Sequence, residues 1–304
     1  MISRQPPAAS RQPPAACCPL PAACAALHGV RRLHHWRRLH RLHHLQRLGL
    51  APALHITMGA TPWAASPRAS RAMYPAVVHC PTTLELQRMI TLHYYPSNAS
   101  FAPHVVLQEL GIEFQLALVD REAGAHKRAE YLKLNPNGLI PVLVDDNHVL
   151  YETAAICLHL ADTHPHAGLA PALGSPERAQ MYKWVVWLTN TMQAMLIHYF
   201  YPDRMVAPGN AEGAEQVKVQ ARAKVGEHLT QIDAQLASHG GPWLMDAQYT
   251  IADPICFMLC RWTRGFGTRP ARDYEHIGPY MKRVLERPAV QRAVATEKLP
   301  QPLY

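Results

Sequence analysis

GLIPVLVDDNHVLYET, residues 138–153, decides how the chain folds. Two short runs, Val142–Val144 and His148–Leu150, flank Asp145-Asp146-Asn147. Short polar side chains of that kind favour a tight turn, so the stretch reads as a β-hairpin. TAAICLHLADTH (153–164) has helical spacing and follows directly. Upstream, MITLHYY (89–95) has the β-branched and aromatic character of a strand. FAPHVVLQEL (101–110) has helical spacing, and Gly111 stands where a C-cap glycine would end it. EFQLALVD (113–120) alternates, with Phe114, Leu116 and Leu118 on one side, and reads as a second strand. A β-α-β order implies a parallel pair with a crossover helix. HKRAEYLKLNPNG (126–138) is polar, partly helical and closed by a turn. Residues 89–163 therefore form β-α-β-α-β-β-α.

Downstream, a Pro/Gly/Ala-rich segment reads as a linker, 164–175. Ser175-Pro176-Glu177 then opens a helix with an N-cap hydroxyl, a proline at the first helical position and an acid in the first turn. Apolar periodicity over 176–200, 213–238, 250–264 and 275–294 makes residues 176–298 an all-α domain. Thr250 and Asp253 stand at capping-box spacing ahead of ICFMLCRW. That is a folding device.

The 304 residues are 48% hydrophobic and 17% charged, which suits one or two globular domains. The net charge of +8 would point to a polyanion, but its distribution decides otherwise. No acid precedes Glu85, while ten of the thirty Lys and Arg lie in residues 1–84. The remainder is near neutral and carries no nucleic-acid footprint.

Residues 1–88 open with SRQPPAA twice in succession, then give RRLHHWRRLHRLHHLQRLGL with apolar residues every third position. A period of three winds around a helix of 3.6 residues per turn, so disorder or a frayed helix is expected. Three readings stand for this extension: sequence upstream of a natural start, with Met89 as its candidate, an organelle transit peptide, or a basic arm. The chain has no run of eighteen apolar residues, so no membrane span is expected. Cys157, Cys256 and Cys260 lie in apolar helical stretches. They read as buried thiols in a reducing, cytoplasmic setting.

The order of these pieces resembles the cytosolic glutathione transferases. It comprises a β-α-β-α-β-β-α unit, Ile140-Pro141 before a hairpin, Tyr151-Glu152-Thr153 opening a helix, and Thr250-Ile251-Ala252-Asp253 ahead of an apolar helix. The likeness runs from Met89 to Lys298. HKRAEYLKLNPNGLIP is similar to phi and theta members, whereas PHVVLQELG and the helical domain are similar to bacterial beta members. The resemblance implies a thioredoxin-like N-terminal domain and an all-helical C-terminal domain. Glutathione would be the co-substrate, an electrophilic, largely apolar small molecule the acceptor, and a homodimer the assembly, with no metal. Isomerisation, dehalogenation or peroxide reduction in the same pocket, or a non-catalytic binding module, are the alternatives it leaves open.

By resemblance, the Ile140-Pro141 bond is cis and Ile140 offers its backbone edge to the cysteinyl unit of glutathione. Thr153 takes the γ-glutamyl carboxylate at a helix N-terminus and Glu152 faces the γ-glutamyl amine. Thr153 could instead only cap its helix. His126 and Lys127 match a pair that holds the glycyl carboxylate, though a lysine there could simply be solvated. The thiolate is the nucleophile and needs a nearby donor. In YYPSNASFAPH (94–104), Ser97 stands where serine-type members carry their activating residue. Ser100 and Tyr94, with the Asn98 amide, are its rivals, and Ser100 could instead cap the next helix through the Ala102 amide. Ala99 occupies the place of the beta-class cysteine, and Gln193 that of an active-site histidine. Tyr199, Phe200, Arg261 and Trp262 are candidates for the acceptor wall. His104 reads as a core residue.

Overall fold

The computed structural model describes residues 89–304. The readings of residues 1–88 lie outside the described residues.

Four strands form one mixed sheet: β1 (Ile90–Tyr94), β2 (Gln115–Leu118), β3 (Val142–Asp145) and β4 (His148–Tyr151), in the order β2-β1-β3-β4. β1 pairs parallel with β2, Leu92 opposite Leu116, and antiparallel with β3, Leu92 opposite Leu143. Asp145 pairs with His148, so the hairpin turns on Asp146-Asn147. Asp146 sits at φ +52°, a conformation that an Asx side chain tolerates better than most. The alternation expected along 113–120 fails at its end. Leu118 is exposed at the end of β2, which is an edge strand.

Helix α1 (Phe101–Leu110) makes the crossover and stops at Gly111, φ +64°. A second helix, α2 (Ala129–Leu132), is one turn long, so most of the polar segment 126–138 is turn rather than helix. α3 (Thr153–Thr163) follows the hairpin. The helical half begins with α4 (Pro176–Trp187), where the Ser175 hydroxyl accepts from the Arg178 amide at 3.1 Å. A π-helical turn, Leu188–Gln193, passes into α5 (Ala194–Phe200). α6 (Ala211–Ala237) comes next, capped by Asn210. Then come α7 (Ala252–Trp262), α8 (Ile277–Leu285) and α9 (Pro288–Thr296). The single helix expected over 275–294 is two. Pro288 lacks an amide hydrogen and starts a new helix at its first position.

α7 is buried from Ala252 to Arg261, all round, as befits a helix in the middle of a core. One apolar cluster joins the sheet helices to the bundle through residues such as Phe101, Leu107, Ile156, Met181 and Phe257. Phe101 and Phe257 meet at 6.2 Å. α9 docks on α1: the Arg287 guanidinium grips Glu109 with two bonds of 2.6 and 2.9 Å, and Arg292 holds Gln108. That docking brings the chain beyond residue 296 under the β1–α1 loop. Cys157, Cys256 and Cys260 are free and buried, with the sulfurs of Cys256 and Cys260 4.0 Å apart. Among the described residues no helix is long and apolar enough to cross a membrane.

The cap at the start of α7 differs from the reciprocal pattern. Asp253 accepts from the Thr250 amide at 2.8 Å, but the Thr250 hydroxyl accepts from Ala252 rather than from Asp253. Asp253 also accepts from the Leu244 amide and the Tyr280 hydroxyl. Burial raises its pKa from 3.8 to about 6, against the opposing pull of those donors. Between those values the folded state binds more protons than the unfolded one. The stabilising share of Asp253 is therefore complete below about pH 4 and lost as pH rises through about 6. Thermal melts of wild type and Asp253→Asn across this window should diverge, the wild type losing ground as pH rises. A constant difference would contradict this linkage.

Candidate active site

The β1–α1 loop is built around one hydroxyl. Ser100 is fully buried, and its Oγ both accepts from the Tyr95 amide (3.2 Å) and donates to the Tyr95 carbonyl (3.1 Å). It makes no side-chain cap to α1, so the expected bond to the Ala102 amide is replaced by this staple across the loop. With Ser100 holding both ends, Ser97 is carried at φ +63°, a region non-glycine residues seldom occupy.

Two distant residues secure Ser97. Its amide donates to Glu297 Oε2 at 3.0 Å, and Arg261 Nη1 donates to its Oγ at 2.7 Å. The other Glu297 oxygen meets His104 Nδ1 at 2.9 Å, with both side chains fully buried. His104 thus serves as a core residue, also edge-on to Tyr94 and Phe114. Arg261 is 2% exposed, and its Nε and Nη2 have no hydrogen-bond partner among the described residues. Burial, with Arg264 beside it, lowers its pKa to about 10 while Glu297 resists, so it stays cationic at neutral pH. Because the Ser97 oxygen accepts from Arg261, its own hydrogen is free to donate elsewhere.

Ser97, Asn98 and Ala99 open onto a cleft of about 620 Å³. The sheet half contributes Arg121, His126, Lys127 and the turn Asn137–Ile140. That turn is held by bonds from Tyr131 Oη and Asn135 Nδ2 to the Leu139 carbonyl, each 2.8 Å. Gly138 is required in it. At φ +60° a Cβ would lie 2.8 Å from the His126 carbonyl oxygen. The Ile140-Pro141 bond is cis. The helical half contributes Gln193, Ile197, Phe200, Tyr201, Arg204, Trp262 and Arg264. Arg121 donates to the Tyr201 hydroxyl at 3.0 Å, and Arg204 stacks over the same ring at 4.1 Å. Burial, then Lys127, Arg121 and Arg204, lower the His126 pKa and favour its neutral form. Among the described residues no carboxylate lines the cleft.

Family models described as "Glutathione S-transferase, N-terminal domain" and "Glutathione S-transferase, C-terminal domain" match residues 88–162 and 188–288. Glutathione S-transferase GstA of Escherichia coli O157:H7 is 30% identical over 210 residues, covering 68% of this chain and 98% of its own. The chain belongs to the glutathione S-transferase family. A solved glutathione transferase from Methylococcus capsulatus str. Bath is 32% identical with a TM-score of 0.60, covering 69% of this chain and all of its own. A Sulfitobacter homologue solved with bound glutathione is 26% identical with a TM-score of 0.64, covering 69% of this chain and 99% of its own.

In this glutathione S-transferase, Ser97, His126, Lys127 and Ile140 all line the cleft, and so does Gln193. Ser100 and Tyr94 do not line it, and the Ser100 hydroxyl is occupied by Tyr95. Glu152 and Thr153 lie at the N-terminus of α3. Glu152 is exposed at φ +76°, a strained backbone of the kind that collects at functional sites. The Thr153 hydroxyl donates to the Ala99 carbonyl at 3.2 Å, which ties α3 to the loop. Of the candidates for the acceptor wall, Phe200 and Trp262 line the helical side of the cleft. Tyr199 turns instead against Phe266 at 4.5 Å, and Arg261 is buried behind Ser97.

Sequence reasoning missed Glu297 as a partner of Ser97, and Arg121, Arg204 and Arg264 as lining. Only Arg261 carried a visible signal: one guanidinium within the otherwise apolar ICFMLCRW.

Proposed function

We propose that the chain adds the thiolate of glutathione to electrophilic small molecules, with the Ser97 hydroxyl as the donor that stabilises the thiolate. The carrying observation is the Ser97 oxygen. It accepts from Arg261 at 2.7 Å and so keeps its hydrogen for an anion in the cleft. Arg261 adds positive charge one bond away, in a site of low dielectric where it counts most. The thiol proton leaves to solvent. The thiolate then forms the carbon–sulfur bond while the acceptor expels its leaving group or takes up the electron pair.

In this reading the Ile140 backbone edge pairs with the cysteinyl unit in the manner of an added strand. Lys127, with neutral His126 as a donor, holds the glycyl carboxylate. The γ-glutamyl end lies at the N-terminus of α3, near Glu152. The Thr153 hydroxyl has given its one hydrogen to Ala99, so its backbone amide is the better candidate for the carboxylate. Thr153→Val keeps that amide. It should weaken glutathione binding by less than about tenfold while costing about 1 kcal/mol of stability. Titration calorimetry and melts measure both, and a loss in binding far beyond tenfold would assign the carboxylate to the hydroxyl.

Residues 89–163 act here as the glutathione-binding domain, 164–175 as the linker and 176–298 as the helical domain. The protein works as a cytoplasmic homodimer, an assembly supported by family membership. Retention on immobilised glutathione, together with thiol addition to an aromatic halide, tests the whole reading. Retention without turnover would leave a binding module.

A further inference from the structure

We infer that the acceptor carries a fixed negative charge on an apolar, aromatic body, and that Arg204 and Arg264 select it. This rests on the glutathione reading above and names the substrate class of the same cleft.

The charges divide between the two walls. On the sheet side, Lys127 and His126 stand with the Ile140 edge, where the peptide lies in the proposed reading. On the helical side, Arg204 and Arg264 stand among Ile197, Phe200, Tyr201 and Trp262, and of the two only Arg204 is near enough to act on the His126 pKa. Phe200 and Trp262 meet edge-on at 6.2 Å and offer faces to a planar body. Neither arginine has a carboxylate within ion-pair distance among the described residues. Arg204 rests on the Tyr201 ring, and Arg264 donates only to the Arg261 carbonyl, at 3.3 Å. Arg121 reaches the same region through the Tyr201 hydroxyl.

A purely apolar acceptor would explain the aromatic faces but not the arginines. Arg264 is tolerated beside Arg261, which Glu297 offsets, but no acid among the described residues lines the cleft to offset Arg204 or Arg264. Guanidinium groups are weakly hydrated forks that pair carboxylates and sulfonates in two-bond geometry. At a cleft with no acid among its described lining residues, they also draw anions in from solution. The glutathione carboxylates are already assigned to the sheet side. The remaining cations therefore fit a second anion on the acceptor.

The test compares two stable conjugates on the full chain by titration calorimetry: S-(dinitrophenyl)glutathione and its ring-carboxylated counterpart, with glutathione alone as the third ligand. The carboxylated conjugate should bind on the order of tenfold tighter, the usual scale for a charge-assisted bond. In Arg204→Gln/Arg264→Gln the ratio of the two affinities should fall towards one. Equal affinities in the wild type, with glutathione still bound, would overturn this inference and leave the glutathione reading intact. A ratio unchanged in the double variant would overturn the assignment to these arginines. Failure to bind glutathione at all would overturn both readings.

Discussion

Ser97→Ala and Ser97→Gly should each lower kcat/KM for thiol addition on the order of a hundredfold, the scale of losing one donor to a developing anion. The two variants separate chemistry from backbone. Ser97 sits at φ +63°, where glycine is at ease and alanine is strained. Ser97→Gly should therefore melt no lower than Ser97→Ala, yet lose as much activity. The pKa of the bound thiol, followed by the ultraviolet absorbance of the thiolate, should rise in both. The loss should fall on kcat more than on the KM for glutathione, because the peptide's other contacts remain. Full activity in Ser97→Gly would remove Ser97 from the mechanism and return the question to Tyr94 and the Asn98 amide. Ser100→Ala should instead act on stability, since its hydroxyl staples the loop through Tyr95.

Glu297→Ala should be the most destabilising single change near the site, by about 3 kcal/mol or more. The carboxylate is fully buried and serves the Ser97 amide and His104 Nδ1 together, so its removal strands a buried ring nitrogen and a part-buried amide. It also takes away an anion that favours the charged form of Arg261. Denaturant unfolding should show the midpoint fall, and kcat should fall with it because the amide of Ser97 loses its anchor. Glu297→Gln retains the shape and an acceptor and should recover much of the stability. If Glu297→Ala unfolds like the wild type, the tether between the C-terminal tail and the β1–α1 loop contributes nothing.

Local chemistry was legible wherever its cause lay within a few residues. The Asp146-Asn147 turn, the Gly111 stop, the Ser175 cap and the buried cysteines all follow from side-chain size and hydrogen-bonding capacity nearby. The break at Pro288 was legible too, but the apolar period running through 275–294 masked it. At the Thr250–Asp253 cap the spacing was right and the partner wrong. The aspartate is engaged by Leu244 and Tyr280 as well as by Thr250.

By itself the sequence determined the order of elements, the helical second half, the hairpin behind Ile140-Pro141 and the serine-bearing loop without a cysteine. Periodicity and turn chemistry are properties of neighbours in the chain, so one dimension suffices for them. Only the tertiary structure placed Ser97 on the cleft and turned Ser100 into its own loop, since both are small hydroxyls in the same stretch. The difference lies in what each residue meets. Ser100 meets the backbone of its own loop, whereas Ser97 meets Arg261 and Glu297, 164 and 200 residues away. Those partners arrive because α9 docks on α1 and α7 is buried beneath it. The arginines of the cleft come together in the same way, by the packing of one half of the chain against the other.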